Sequence, residues 1–328
     1  MGEILDEKKK INSGMISWLI SHAGQVIFLL SLVVLMSIIS PQFRTTNNLI
    51  NVCRQASINM IIACAMTMVL IIGGIDLSVG SVMAMAGMVA TLLSVRGIPF
   101  AFCMFGGLLS GVIAGFVNGM ILANTKLPAF IVTYAIQSIL RGMVYVITGA
   151  GTIRLTSDIF LKFGGGFLGT IPLPVIYMLI VIVFSILILS RSKFGRHMLA
   201  IGGNNKAALY AGINTRRVTL IIYVISGFCA ALAGLVLTSR NSSMQPAVGN
   251  GAEMDAIAAV VLGGTSMAGG RGSISGTILG AFIIAFINNG LNMLQMDSFY
   301  QYIAKGVVIL IAVDLDDIKN QLIALEKK

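Results

Sequence analysis

The sequence predicts an all-α polytopic membrane protein, a bundle of about ten transmembrane helices, and three observations predict it. Hydrophobic residues make up 57% of the 328 and charged ones only 10%, where a soluble domain carries about 25% charged residues. The mean hydropathy is +0.95. The apolar residues also gather into ten runs, some only marginally long, at 16–39, 57–75, 79–95, 98–122, 129–148, 172–190, 218–238, 254–268, 273–293 and 300–315, and about 20 such residues cross a bilayer. Little chain remains for a soluble domain, so 16–315 reads as the membrane domain and 1–15 and 316–328 as short tails.

The first run follows Lys8, Lys9 and Lys10 as a signal peptide would. It continues for over twenty residues without a small-residue cleavage site, which makes it an uncleaved span. The second and third runs are parted by Gly73 and Gly74, with Asp76 and Ser78 just beyond. The fourth carries Gly106, Gly107, Gly111, Gly115 and Gly119. Small residues at four-residue spacing let helix backbones approach closely in lipid, where no hydrophobic effect drives helices together. Packing within the bundle is the plain reading of these glycines, and a subunit interface the other.

The fifth run holds Gln137 and Arg141. Arg141, like Lys305 in the tenth, stands near a span end and is expected to snorkel. Between the sixth and seventh runs lies 191–217 (RSKFGRHMLAIGGNNKAALYAGINTRR), with six of the 22 Lys and Arg and no acid. The eighth run breaks at Gly263 and Gly264, and the ninth contains Asn288, Asn289 and Asn292.

The net charge of +10 does not point to nucleic acid, because the cations sit in loops between spans and not on one soluble face. With the N-terminus inside, fourteen cations fall on the cytoplasmic side: Lys8 to Lys10, Lys126, the six of 191–217, Arg271, Lys319, Lys327 and Lys328. Seven fall outside: Arg44, Arg54, Arg96, Arg141, Arg154, Lys162 and Arg240. This bias predicts that both termini are cytoplasmic, with an even number of spans.

Two segments look alike, 69–81 (VLIIGGIDLSVGS) and 260–273 (VVLGGTSMAGGRGS). Phe116, Val117 and Asn118 similarly match Phe286, Ile287 and Asn288, but the two offsets disagree, which leaves an internal repeat open. Each segment interrupts an apolar run with Gly-Gly and small polar residues, as broken helices do where irregular backbone is sheltered by protein or lines a cavity. Asp76 and Ser78 fit a role in the translocation pathway or its gating, and equally the capping of the helix that follows. Asn118, Gln137, Asn288 and Asn289 are uncharged amides, which suit a neutral, hydroxyl-rich solute and also bind helices to one another.

Chemistry of its own is not visible in the chain. Cys53, Cys64, Cys103 and Cys229 are far apart, form no CxxC and read as packing residues. The stretch from Gly264 reaches Gly269 at the spacing of a phosphate-binding loop but continues with Gly270 and Arg271 where Lys and Ser or Thr are needed. The set Gly270, Gly272 and Ser275 misses a dinucleotide fingerprint by one residue. Intramembrane acids are nearly confined to Asp76, against the several that an ion-coupled carrier uses, and the histidines are His22 and His197 alone. The pattern is that of a conduit without a motor, carrying one elaborate cytoplasmic surface through which a motor could act.

Several segments, taken in order, resemble one family. They are 73–81 (GGIDLSVGS), 194–196 (FGR), 200–204 (AIGGN), 207–208 (AA), 211–213 (AGI), 255–266 (DAIAAVVLGGTS), 269–273 (GGRGS), 276–277 (GT) and 288–292 (NNGLN). Together they are similar to the membrane permease subunit of bacterial ABC importers for pentoses and related sugars, most closely the ribose-type permeases. The resemblance covers nearly the whole chain. It implies the bundle of type II ABC importer permeases in the bacterial cytoplasmic membrane, paired with a second permease subunit, identical or homologous. It further implies an ATP-binding subunit that supplies ATP and Mg, a periplasmic or lipid-anchored sugar-binding protein, and no cofactor in this chain.

The resemblance places the coupling to the ATPase at Gly195, Arg196, Ala200, Gly202, Asn204, Ala207, Ala208 and Gly212. Physically, Gly195, Gly202, Gly203 and Gly212 can close tight turns, and Asn204 with Asn205 can cap a short helix over 206–210. The other reading is a solvated loop held inside by its charge. Arg96, Arg154 and Arg240 on the outer loops are candidates for docking acidic residues of the binding protein. A secondary transporter acting alone, a membrane scaffold, or a related ABC permease for autoinducer-2, nucleosides or branched-chain amino acids are the alternatives.

Overall fold

A computed structural model describes residues 23–297 together with 300, 301, 303, 304, 306, 307 and 310. The two tails, His22, Lys305 and most of the tenth run lie outside the described residues. The helices are α1 (Ala23–Ile39), α2 (Thr46–Ile71), α3 (Val79–Val95), α4 (Phe100–Asn124), α5 (Ala129–Thr148), α6 (Asp158–Gly165) and α7 (Leu173–Ile186). They continue with α8 (Lys193–Gly203), α9 (Asn205–Tyr210), α10 (Thr215–Arg240), α11 (Ala252–Leu262) and α12 (Ile274–Met293).

Among the described residues six helices are long and apolar enough to cross a membrane: α2, α4, α5, α7 with its extension to Arg191, α10 and α12. The shorter apolar helices α1 and α3 accompany them. The eighth run departs from expectation. It forms α11, whose 11 residues reach only about 16 Å at 1.5 Å per residue, roughly half the hydrocarbon thickness. Gly263 and Gly264 end it, the latter with φ of +82°, a conformation that side chains other than glycine resist.

Helix α10 is the centre of the bundle. Its neighbour α4 runs antiparallel to it, and the glycines of the fourth run lie in their contact. A Cβ at Gly111 would overlap the Gly227 carbonyl, one at Gly115 the Tyr223 carbonyl, and one at Gly227 the Gly111 carbonyl. Gly119 faces Leu220 and Gly107 faces Leu235. These glycines therefore serve packing within the bundle, where two backbones nearly touch. On the other side Gly234 of α10 abuts the Met83 backbone of α3, while α2, also against α10, buries an almost unbroken series from Met60 to Ile71.

Small elements cover the end of the bundle where α10 finishes. Strand β1 (Ile153–Arg154) pairs antiparallel with β4 (Ser243–Met244), Ile153 opposite Met244. Strands β2 (Phe167–Leu168) and β3 (Ile171–Pro172) form a hairpin beyond α6. Helices α8 and α9 lie at the other end.

Candidate functional site

The basic segment folds as two helices. The end of α7 widens into a π-helical turn, Leu187–Arg191. Ser192 then caps α8, its hydroxyl accepting from the Gly195 N–H at 3.0 Å and donating to the Ile188 carbonyl at 2.5 Å. The Asn204 side chain accepts from the Ala207 N–H at 3.0 Å and starts α9, so the short helix is present with the expected cap. Asn214 starts α10 by the same bond to the Arg217 N–H at 3.0 Å.

The expectation of turns at Gly195, Gly202 and Gly203 is corrected: all three are inside α8. Glycine is needed at Gly195 and Gly202 for close approach, since a Cβ on Gly195 would overlap the Leu189 carbonyl. Gly212 does turn, with φ of +82°. Arg196, Ala200, Asn204 and Ala207 are exposed, whereas Ala208 is buried. Leu209 and Tyr210, which the sequence did not single out, project from α9 at 58% and 88% exposure.

Three chain segments meet at Gly202. A Cβ there would overlap both the Ile71 carbonyl at the end of α2 and the Gly270 N–H of the loop 263–273. That N–H donates to the Ile71 carbonyl at 2.8 Å. A Cβ on Gly269 would stand 3.0 Å from the Gly73 nitrogen and 3.1 Å from the Gly202 carbonyl oxygen. Nearby, the hydroxyls of Thr67 on α2 and Thr277 on α12 are 2.7 Å apart. Both helix breaks therefore touch each other and α8, backbone to backbone.

The first break is tied down by Asp76, which is 1% exposed. Its Oδ1 accepts from the Ser78 N–H at 2.9 Å and the Ser78 hydroxyl at 2.6 Å, and its Oδ2 from the Ser226 hydroxyl of α10 at 2.7 Å. The Ser78 hydroxyl accepts in turn from the Asn118 Nδ2 of α4 at 2.8 Å. Ser78 makes no side-chain cap on α3. The Asp76 carboxylate instead binds the Ser78 N–H at the start of that helix and joins it to α10 and, through Ser78, to α4.

Asn288 and Asn289 play separate parts. Asn289 and Asn48 exchange amide hydrogen bonds at 2.8 and 3.0 Å, joining α12 to the start of α2. Asn288 lines a cavity of about 380 Å³ in the half of the bundle away from α8 and α9. Its walls include Gln55 and Asn59 of α2, Arg240 of α10 and Asp255 of α11. The Asn288 Nδ2 donates to Asp255 Oδ2 at 3.2 Å.

Of the predicted docking arginines, Arg96 and Arg154 are exposed, while Arg240 is partly buried and lines the cavity. Gln137 is partly buried on α5 and belongs to neither cluster. Arg141 does not snorkel. Its guanidinium donates to the Pro246 and Val248 carbonyls at 2.7 and 2.8 Å and so holds the segment leading into α11. Asn59, in the middle of an apolar run, went unnoticed in the sequence; a polar residue at the core-facing spacing of Asn48, Gln55 and Asn59 was the available signal. Among the described residues no group of three or more His, Cys, Asp or Glu could hold a metal.

Residues 48–313 match a family described as branched-chain amino acid transport system / permease component. The chain is 43% identical over 295 residues to the ribose import permease protein RbsC of Haemophilus influenzae, covering 89% of this chain and 91% of that one. It is 42% identical over 320 residues to RbsC of Bacillus subtilis, covering 97% and 98%. With the D-allose transport system permease protein AlsC of Escherichia coli it shares 38% over 312 residues, 94% and 95% of the two chains. No solved structure matches the chain at a significant level. The chain belongs to this family of membrane permeases, and along nearly its whole length it is similar to import permeases for ribose and other sugars.

Proposed function

We propose that the chain is the membrane-spanning permease subunit of an ATP-driven importer for ribose or a closely related monosaccharide. The observation that carries this reading is the meeting of α8, the end of α2 and the loop 263–273 at Gly202, which gives a force on α8 and α9 a direct path into both helix breaks. Relatives named as ribose permeases at 42–43% identity over most of the chain supply the substrate.

In this reading α8 and α9 face the cytoplasm and dock on an ATP-binding subunit, which holds the ATP and Mg. Exposed Leu209 and Tyr210, with the exposed cations Arg196, Lys206 and Arg216 of the same segment, are the contact. The opposite end, with Arg96 and Arg154, receives a sugar-binding protein. Two permeases, identical or homologous, lie side by side in the cytoplasmic membrane, each with about ten membrane segments once α11 and the tenth run are counted. ATP binding displaces α8, and the breaks shift the bundle between inward- and outward-open forms. Asp76, Ser78 and Asn118 hold the first break to α10 and α4 during that motion, and Asn288 and Asn289 act on the opposite half.

The test is reconstitution in proteoliposomes. The lone subunit should neither accumulate nor exchange ribose on an ion gradient, and the complete complex should show ribose-stimulated ATP hydrolysis with uptake. Uphill transport by the lone subunit would establish a secondary carrier instead. A panel including autoinducer-2, nucleosides, branched-chain amino acids and hexoses ranks the substrates, and a preference for any of them over pentoses would overturn the assignment to ribose.

A further inference from the structure

We infer that the cavity between α2, α3, α10, α11 and α12 is a binding site for an uncharged polyhydroxylated solute inside a single permease subunit, the first station of a sugar after its release from the binding protein. The inference rests on the proposed function for the identity of the solute, and on the cavity's own construction for its existence. The volume of about 380 Å³ falls at the lower end of ligand pockets.

The lining has the two faces of a sugar. Ile58, Ile62, Met83 and Ala285 supply apolar surface for the C–H groups of a ring. Polar groups converge from the other sides. Asn288 is only 7% exposed, and its Nδ2 is engaged by Asp255, which fixes the amide so that Oδ1 is left as the acceptor. That oxygen has no hydrogen-bond partner, and neither does either polar atom of the Asn59 amide. Desolvated amides without partners destabilise a wall of this kind. Hydroxyl groups satisfy both needs, since each donates and accepts. The lining carries one acid, Asp255, and one base, Arg240, and so no single sign of charge that would select an ion. At the mouth stand the exposed side chains of Asn241, Asn250 and Asn292, at the end of the bundle opposite α8.

The experiment measures protection from labelling. Asn292→Cys is made in a Cys53→Ser background, and its reaction with a water-soluble maleimide is followed in the complete complex with D-ribose added directly. Ribose should slow labelling by the factor 1 + [L]/Kd, about fourfold at roughly three times the dissociation constant, whereas sodium sulfate and n-butanol should leave the rate unchanged. Adding Asn288→Leu, or separately Asn59→Leu, should abolish protection and uptake while the complex still assembles and hydrolyses ATP. A labelling rate indifferent to ribose, or equal slowing by the non-sugar solutes, overturns the site. So does normal uptake by both Leu variants. Ribose-stimulated ATP hydrolysis in the same preparation separates these failures from a failure of the transport assignment.

Discussion

Asp76 accepts three hydrogen bonds from the protein, and two of them come from its own helix start. Only the third, from Ser226, crosses to α10, which makes Ser226→Ala the clean probe of that tie. It should lower the stability of the purified protein by about 1.5–3 kcal/mol, the range for a hydrogen bond to a charged group, and Asp76→Ala should lower it further by stranding Ser78 and Ser226 together. Thermal unfolding in detergent reads both. If Ser226→Ala melts with the parent protein, the tie to α10 contributes nothing. The sequence left Asp76 open between capping and gating because both demand a carboxylate before a helix. What it could not show was Ser226, which is 150 residues away along the chain.

Elements divide according to whether their role is local. The cap at Asn204 was legible because a side-chain oxygen followed by a helix-forming tetrapeptide is a local pattern. Helix α9 has six residues and too few bonds to hold itself, so Asn204→Ala, which costs a helix about 1 kcal/mol, should reduce ribose moved per ATP. The same loss at Asn214, which starts a helix of 26 residues packed on four others, should change it little. Measured transport-to-ATP ratios of the two variants would contradict this if they were equal.

Close helix contacts behave differently. Gly115→Leu should destabilise the bundle by about 1–3 kcal/mol through overpacking, because α10 backbone occupies the space of its side chain. Gly142→Ala on α5, where nothing lies within 4 Å, should be neutral or gain up to about 1 kcal/mol from helix propensity. Comparative melting decides, and equal melting of the two would refute a backbone contact at Gly115. The four-residue glycine spacing announced close packing, but it could not name the partner.

At the scale of the molecule, the apolar runs and the two Gly-Gly interruptions were enough to predict a helical membrane bundle with broken helices. They did not show that α11 is half-length, since an apolar run of 15 residues reads alike as a helix or as a helix plus a loop. Nor did they show the cavity, whose walls come from five helices and whose Asn59 is hidden among apolar neighbours. Gly202 is the sharpest case. A glycine pair in a basic segment suggests a turn, and only the positions of Ile71 and Gly270 reveal that it is a contact.

The central claim is that motion of α8 reaches the transport path through that contact. Ribose uptake and ribose-stimulated ATP hydrolysis, measured together in proteoliposomes carrying Gly202→Val in the complete complex, test it most directly. The expected result is retained hydrolysis with ribose moved per ATP reduced about 5–150-fold, the span of ~1–3 kcal/mol of lost coupling. Uptake per ATP equal to that of the unsubstituted complex would contradict the account.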